Sequence, residues 1–166
     1  MGQDGPVGTT VRRAGPEEWR LLRDLRLAAL REAPEAFGST FEREASFSDD
    51  QWGPWLAPLE WFVADAADRP VGLVGLTEVA GRPGRCEILS MWVAPEARRQ
   101  GIGAVLIGAA REWAAGRGAS VFTLGVADGN ERGRRFYERL GFSPTGAREP
   151  LHSDPGRCTN EYTLAI

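Results

Sequence analysis

One stretch, Glu87 to Trp113, constrains the fold more than any other part of the chain. Glu87-Ile88-Leu89-Ser90-Met91-Trp92-Val93 is apolar on both faces and is stopped by Pro95. That pattern predicts a strand buried on both sides of a sheet. Ile102, Val105, Leu106, Ala109 and Trp113 then recur at helical spacing, which predicts an α-helix with one apolar face. Between them lies a short turn with Arg98, Arg99, Gly101 and Gly103. Such a turn aims the helix's first N–H groups, and the positive end of its dipole, at one point. Glycine lets backbone and ligand approach closely there, and the arginines add positive charge. Two readings fit these residues: a phosphate or pyrophosphate cradle, or an ordinary strand–helix turn with solvated arginines.

The turn lacks Gly-Lys-Ser/Thr and is not a Walker A loop. It also lacks the third glycine of a dinucleotide fingerprint. Arg98-Arg99-Gln100-Gly101-Ile102-Gly103 instead resembles the acyl-CoA signature Arg/Gln-x-x-Gly-x-Gly/Ala of the GCN5-related N-acetyltransferase (GNAT) family. Downstream, Asn130-Glu131-Arg132-Gly133-Arg134-Arg135-Phe136-Tyr137-Glu138-Arg139-Leu140-Gly141-Phe142 is similar to that family's second motif. Local physics agrees with a helix there. Asn130 is a good N-cap, Gly133, Phe136, Tyr137 and Leu140 share a face, and Gly141 stands where the helix would end.

The resemblance implies an α+β fold: a single layered domain with a central mixed, mostly antiparallel sheet flanked by helices. It implies acetyl-CoA as cosubstrate. The implied site takes Met91, Trp92 and Val93 from the strand and Arg98, Arg99, Gln100, Gly101, Ile102, Gly103 and Ala104 from the turn. The second motif adds Asn130, Arg132, Phe136 and Tyr137. Met91 and Val93 would pair with the pantetheine arm as an added strand would. Tyr137 would be the acid that protonates the departing thiolate, or else a tyrosine packed in the core.

Composition narrows the alternatives. A chain of 166 residues, 42% hydrophobic and 26% charged, suits one globular domain. The domain is expected over 10–166, behind a disordered tail at 1–9. A net charge of -3 offers no broad basic field, which argues against nucleic acid. All 20 basic residues are arginine, so lysine Schiff-base chemistry is excluded. No apolar run is long enough to span a bilayer, and no signal peptide is visible. Cys86 and Cys158 read as reduced, the protein as cytoplasmic, and no metal set stands at sensible spacing.

Along the rest of the chain, Thr10 to Arg13 predicts a first strand. Leu21, Leu22, Leu25, Ala28 and Ala29 predict a helix after Pro16. Ser48 and Gln51 form a capping box ahead of a helix carrying Trp52 and Trp55. Trp61 to Ala64, Val71 to Val79 and Ser120 to Val126 read as strands. Gly72 and Gly75 suggest a bulge or close packing. Residues 143–157, rich in Pro and Gly, read as a long loop before a last strand from Thr159.

Acetyl transfer to an amine needs a base as well as an acid. Glu87 is the first candidate, on the strand face expected to carry Leu89 and Met91. A structural carboxylate is the other reading, and Glu78 is a weaker substitute. Phe37, Phe41 and Glu78 are candidates for acceptor binding. The acceptor is expected to be a small primary amine; a protein amine or a non-catalytic acyl-CoA sensor are the alternatives. A homodimer is suggested by family analogy alone.

Overall fold

The structure, a computed structural model, describes residues 8–166. The tail expected over 1–9 lies outside the described residues as far as position 7, and Thr9 already belongs to a strand. Among the described residues seven strands are formed: β1 (Thr9–Ala14), β2 (Glu60–Ala66), β3 (Arg69–Glu78), β4 (Arg85–Val93), β5 (Val121–Ala127), β6 (Ser143–Leu151) and β7 (Asp154–Ala165). Five α-helices accompany them: α1 (Trp19–Glu32), α2 (Phe41–Ala45), α3 (Asp49–Leu56), α4 (Ile102–Gly116) and α5 (Glu131–Arg139). The sheet order is β1-β2-β3-β4-β5-β7-β6. Every neighbouring pair is antiparallel except β4 and β5. This is the α+β layered architecture expected of the family.

Helices cover both faces of the sheet. α1 buries Leu22, Leu25, Arg26, Ala29 and Leu30, the spacing of one helical stripe. α4 buries Ile102, Leu106, Ala110 and Ala114, with Ile107 beside them. The expected stripe on α4 included Ala109 and Trp113, which are only partly buried. A helix apolar nearly all round fixes its inner face by packing rather than by pattern. Leu30, Leu73, Leu76, Leu106 and Phe122 are fully buried, each contributing about 2 kcal/mol.

Gly72 permits the close approach of α4. A Cβ there would meet the Trp92 carbonyl at 2.9 Å and Leu106 at 3.2 Å. At the other end of the chain the expected long loop is corrected. Residues 143–151 form β6 and pair with β7 in a hairpin. β6 is exposed along nearly its whole length and lies at the sheet edge. An edge strand tolerates Pro144 and Pro150 and needs no apolar alternation, so the sequence carried no strand signal.

Candidate active site

The parallel pair opens the site. β4 and β5 are in register only at Arg85–Val121, Cys86–Phe122 and Glu87–Thr123. Beyond Glu87 they part. The cause lies in β4, where Leu89 opposes Gly75 but Trp92 opposes Leu73: three residues on one strand span two on the other. Ser90 takes the strain, with φ of +56°. The bulge corrects one expectation. It reverses the alternation, so Trp92 shares a face with Leu89 and Glu87, while Met91 turns to the opposite face. There the Met91 methyl lies beside Gly103 and Phe136.

A buried ion pair holds the bulge. Arg26 donates from Nε and Nη2 to the two carboxylate oxygens of Glu44, at 2.9 and 2.8 Å, and from Nη1 to Ser90 Oγ at 2.9 Å. Neither residue was singled out in the sequence. The signal was there for Arg26, which occupies a stripe position between Leu25 and Ala29. An arginine in such a stripe needs a buried partner.

Past the bulge the turn into α4 forms a cavity of about 420 Å³. Met91, Trp92, Val93, Arg98, Arg99, Gly101, Ile102, Gly103 and Ala104 line it from one side, and Asn130, Arg132, Phe136 and Tyr137 from the other. Gln100 does not reach it, and bonds instead to the Glu96 carbonyl at 3.3 Å. Arg139 and Leu140 also line it, unanticipated from the sequence. Gly101, at φ of +79°, starts α4 with no side-chain cap, so the helix's first N–H groups are not engaged by a capping side chain. A Cβ on Gly103 would meet Phe136 at 3.0 Å and Met91 at 3.1 Å. The uncapped helix start, the missing Cβ atoms and the surrounding arginines fit a pyrophosphate-bearing ligand such as coenzyme A.

The charge expected of Arg98 is compensated within the protein. Its Nε donates to the Val93 carbonyl at 2.8 Å, and Nη1 and Nη2 donate to Glu32 at 3.1 and 2.5 Å. Trp92 Nε1 donates to the same carboxylate at 3.0 Å. Arg98, with Trp92 and Arg132, holds the Glu32 carboxyl below its ordinary pKa. Asn130 caps α5 by accepting from Gly133 N–H at 3.0 Å.

A second, larger cavity of about 1030 Å³ adjoins the first at Tyr137. Its floor is the sheet face that carries Glu87. The register passes from Glu87 to Thr123, from Gly125 to Glu161 and from Thr159 to Glu149, placing all three carboxylates on one face. Burial, then the negative charges of Glu149 and Glu161, push the Glu87 pKa up. Trp55 and Trp61 line this cavity with Ser39, Thr40 and Arg43. The hairpin tip closes one end, where Ser153 Oγ donates to the Phe37 carbonyl at 2.9 Å.

Tyr137 lines both cavities, together with Ala36 and Phe37. Its ring packs edge-on against Phe136 and Phe142, and burial pushes its phenol pKa up. Its hydroxyl has no hydrogen-bond partner among the described residues. Two expected acceptor residues stand elsewhere. Phe41 lies under Arg31, with the guanidinium carbon 4.4 Å from the ring centroid, and lines neither cavity. Glu78 is exposed and pairs across the strands with Cys86, on the α4 face.

Comparison with known proteins identifies the family. A model of the acetyltransferase (GNAT) family matches residues 22–142. An aminoglycoside N(6')-acetyltransferase type 1 of Klebsiella aerogenes is 30% identical over 126 residues, covering 69% of this chain and 82% of that one. An uncharacterized N-acetyltransferase of Methanocaldococcus jannaschii is 36% identical over 110 residues, 58% of this chain; the match spans 47% of the archaeal protein. A GCN5-related N-acetyltransferase from Kribbella flavida has a similar fold, with a TM-score of 0.75 at 18% identity over 96% of this chain and 98% of the other. The chain belongs to the acetyltransferase (GNAT) family of N-acetyltransferases. No helix among the described residues is long and apolar enough to cross a membrane.

Proposed function

We propose that the protein moves an acetyl group from acetyl-CoA to the amine of a small acceptor, by direct attack with both bound. The observation that carries this reading is the place of Tyr137, between a cavity lined by α4's uncapped start and one lined by carboxylates. The cosubstrate supplies a thioester; its C–S bond breaks as a C–N bond forms. The attacking nitrogen must first lose a proton, and the leaving sulfur gains one.

Glu87 suits the first task. A carboxyl with a raised pKa is a better proton acceptor than an ordinary one. Tyr137 suits the second by its place, lining both cavities where sulfur and nitrogen would meet, and burial keeps its phenol protonated at neutral pH. The α4 N-terminus and Arg99 would hold the pyrophosphate, while Glu32 and Arg98 fix the turn that presents them. The Ser90 bulge keeps β4 apart from β5, leaving strand backbone for the pantetheine arm and for an oxyanion. A small acceptor is supported by the Klebsiella relative, whose name states a small-molecule acceptor.

The test is thiol release from acetyl-CoA against a panel of amines, for the intact protein and Tyr137→Phe. Turnover that falls about tenfold or more in the mutant supports the reading. Undiminished turnover keeps the transfer but removes Tyr137 from it. Failure of acetyl-CoA to be consumed or to raise the melting temperature would overturn the proposal.

A further inference from the structure

The acceptor cavity is charged with both signs, on different walls. The sheet wall carries Glu87 and Glu149. The wall built from α2 and the segment before it carries Arg43. Arg26 also reaches this cavity, but Glu44 matches its charge. Arg43 has no ion pair among the described residues. It donates to Ser39 Oγ at 3.2 Å, and its guanidinium lies over Trp55 and Phe47, at 5.1 and 5.7 Å from their ring centroids. Those contacts seat the guanidinium on an aromatic ledge and leave most of its N–H donors uncommitted. Trp55 is itself the exposed large apolar side chain of the described residues, at 40%.

A cation oriented on an aromatic ledge is a ready fork for a carboxylate. A purely cationic amine would set positive charge against Arg43, and a neutral one would leave the fork unmatched. We infer that the acceptor is an aminocarboxylate, with its carboxylate on Arg43, its amine toward Glu87 and its apolar body along Trp55. This inference rests on the acetyltransferase reading above and names the substrate class of the same site.

Matched pairs decide it: amino acids with α-, β- and more distant amines, each beside its own carboxamide, in the thiol-release assay. In the intact protein the best acid is expected to exceed its amide in kcat/KM by about tenfold or more. Arg43→Gln is expected to collapse that ratio toward one, and Arg43→Lys, which keeps the charge but not the fork, to leave an intermediate ratio. Amides accepted as well as acids in the intact protein, or an acid preference unaltered in Arg43→Gln, would overturn the inference. Turnover confined to amines without a carboxylate would also overturn it while leaving the acetyltransferase reading intact. Absence of acetyl-CoA consumption with every amine would remove both.

Discussion

Arg26 and Glu44 meet through two parallel hydrogen bonds of 2.9 and 2.8 Å, with Glu44 fully buried and Arg26 8% exposed. The pair ties α1 to α2, and its third contact, to Ser90 Oγ, ties both to the bulge in β4. Glu44→Ala leaves a buried guanidinium without its counter-charge. The expected loss is about 3–5 kcal/mol, read from urea unfolding. Replacing both partners, Arg26→Met with Glu44→Leu, removes the unpaired charge as well. The double variant is expected to be more stable than Glu44→Ala alone; if it is less stable, the pair is not the source of the loss.

Glu87 should show itself in the pH dependence of stability. Its folded pKa stands above the ordinary value of 4.5, because burial and the charges of Glu149 and Glu161 disfavour the carboxylate. The protonated form is therefore the comfortable one. Its contribution is fully present below the ordinary pKa and is lost as pH rises through the folded value. Glu87→Gln mimics that form. It is expected to raise the melting temperature at pH 8, by on the order of 2 °C, and to leave it unchanged at pH 4. A mutant less stable at pH 8 would mean that Glu87 is a paired structural carboxylate.

Glu32 should show the opposite signature. The guanidinium of Arg98 and the indole of Trp92 favour its charged form. That contribution is present above the ordinary pKa and disappears as pH falls through the lowered one. Both partners are partly exposed, so solvent screens the pair. Glu32→Gln is expected to cost about 1 kcal/mol at pH 7, and clearly less near pH 3. Equal losses at both pH values would mean that packing, not charge, holds the turn.

The strand–turn–helix and the capped α5 were legible because each is local. Gly101 must adopt a positive φ, Asn130 must accept from Gly133, and Ser48 must meet Gln51 within one turn of chain. What stayed hidden depends on distant partners. The Ser90 bulge follows from pairing with β3 and from Arg26, 64 residues away. It was enough to put Met91 and Glu87 on opposite faces, where simple alternation had joined them. The β6–β7 hairpin was missed because an exposed edge strand has no apolar pattern to read, and with it went Glu149 on the cavity wall.

Gly101 and Gly103 stand two residues apart and are glycine for different reasons. Nothing lies within 4 Å of a Cβ built on Gly101, but its φ of +79° is left-handed. Gly101→Ala is expected to cost about 1–2 kcal/mol of stability through the backbone alone. Gly103 has an ordinary helical backbone, and alanine there gains helix propensity of about 1 kcal/mol. Its Cβ would instead press on Phe136 and Met91, which line the smaller cavity. Gly103→Ala is therefore expected to unfold no more readily than the parent in urea, yet to bind coenzyme A about tenfold more weakly by calorimetry. Coenzyme A bound as tightly by Gly103→Ala as by the parent would show that the space above Gly103 is not part of the ligand's path.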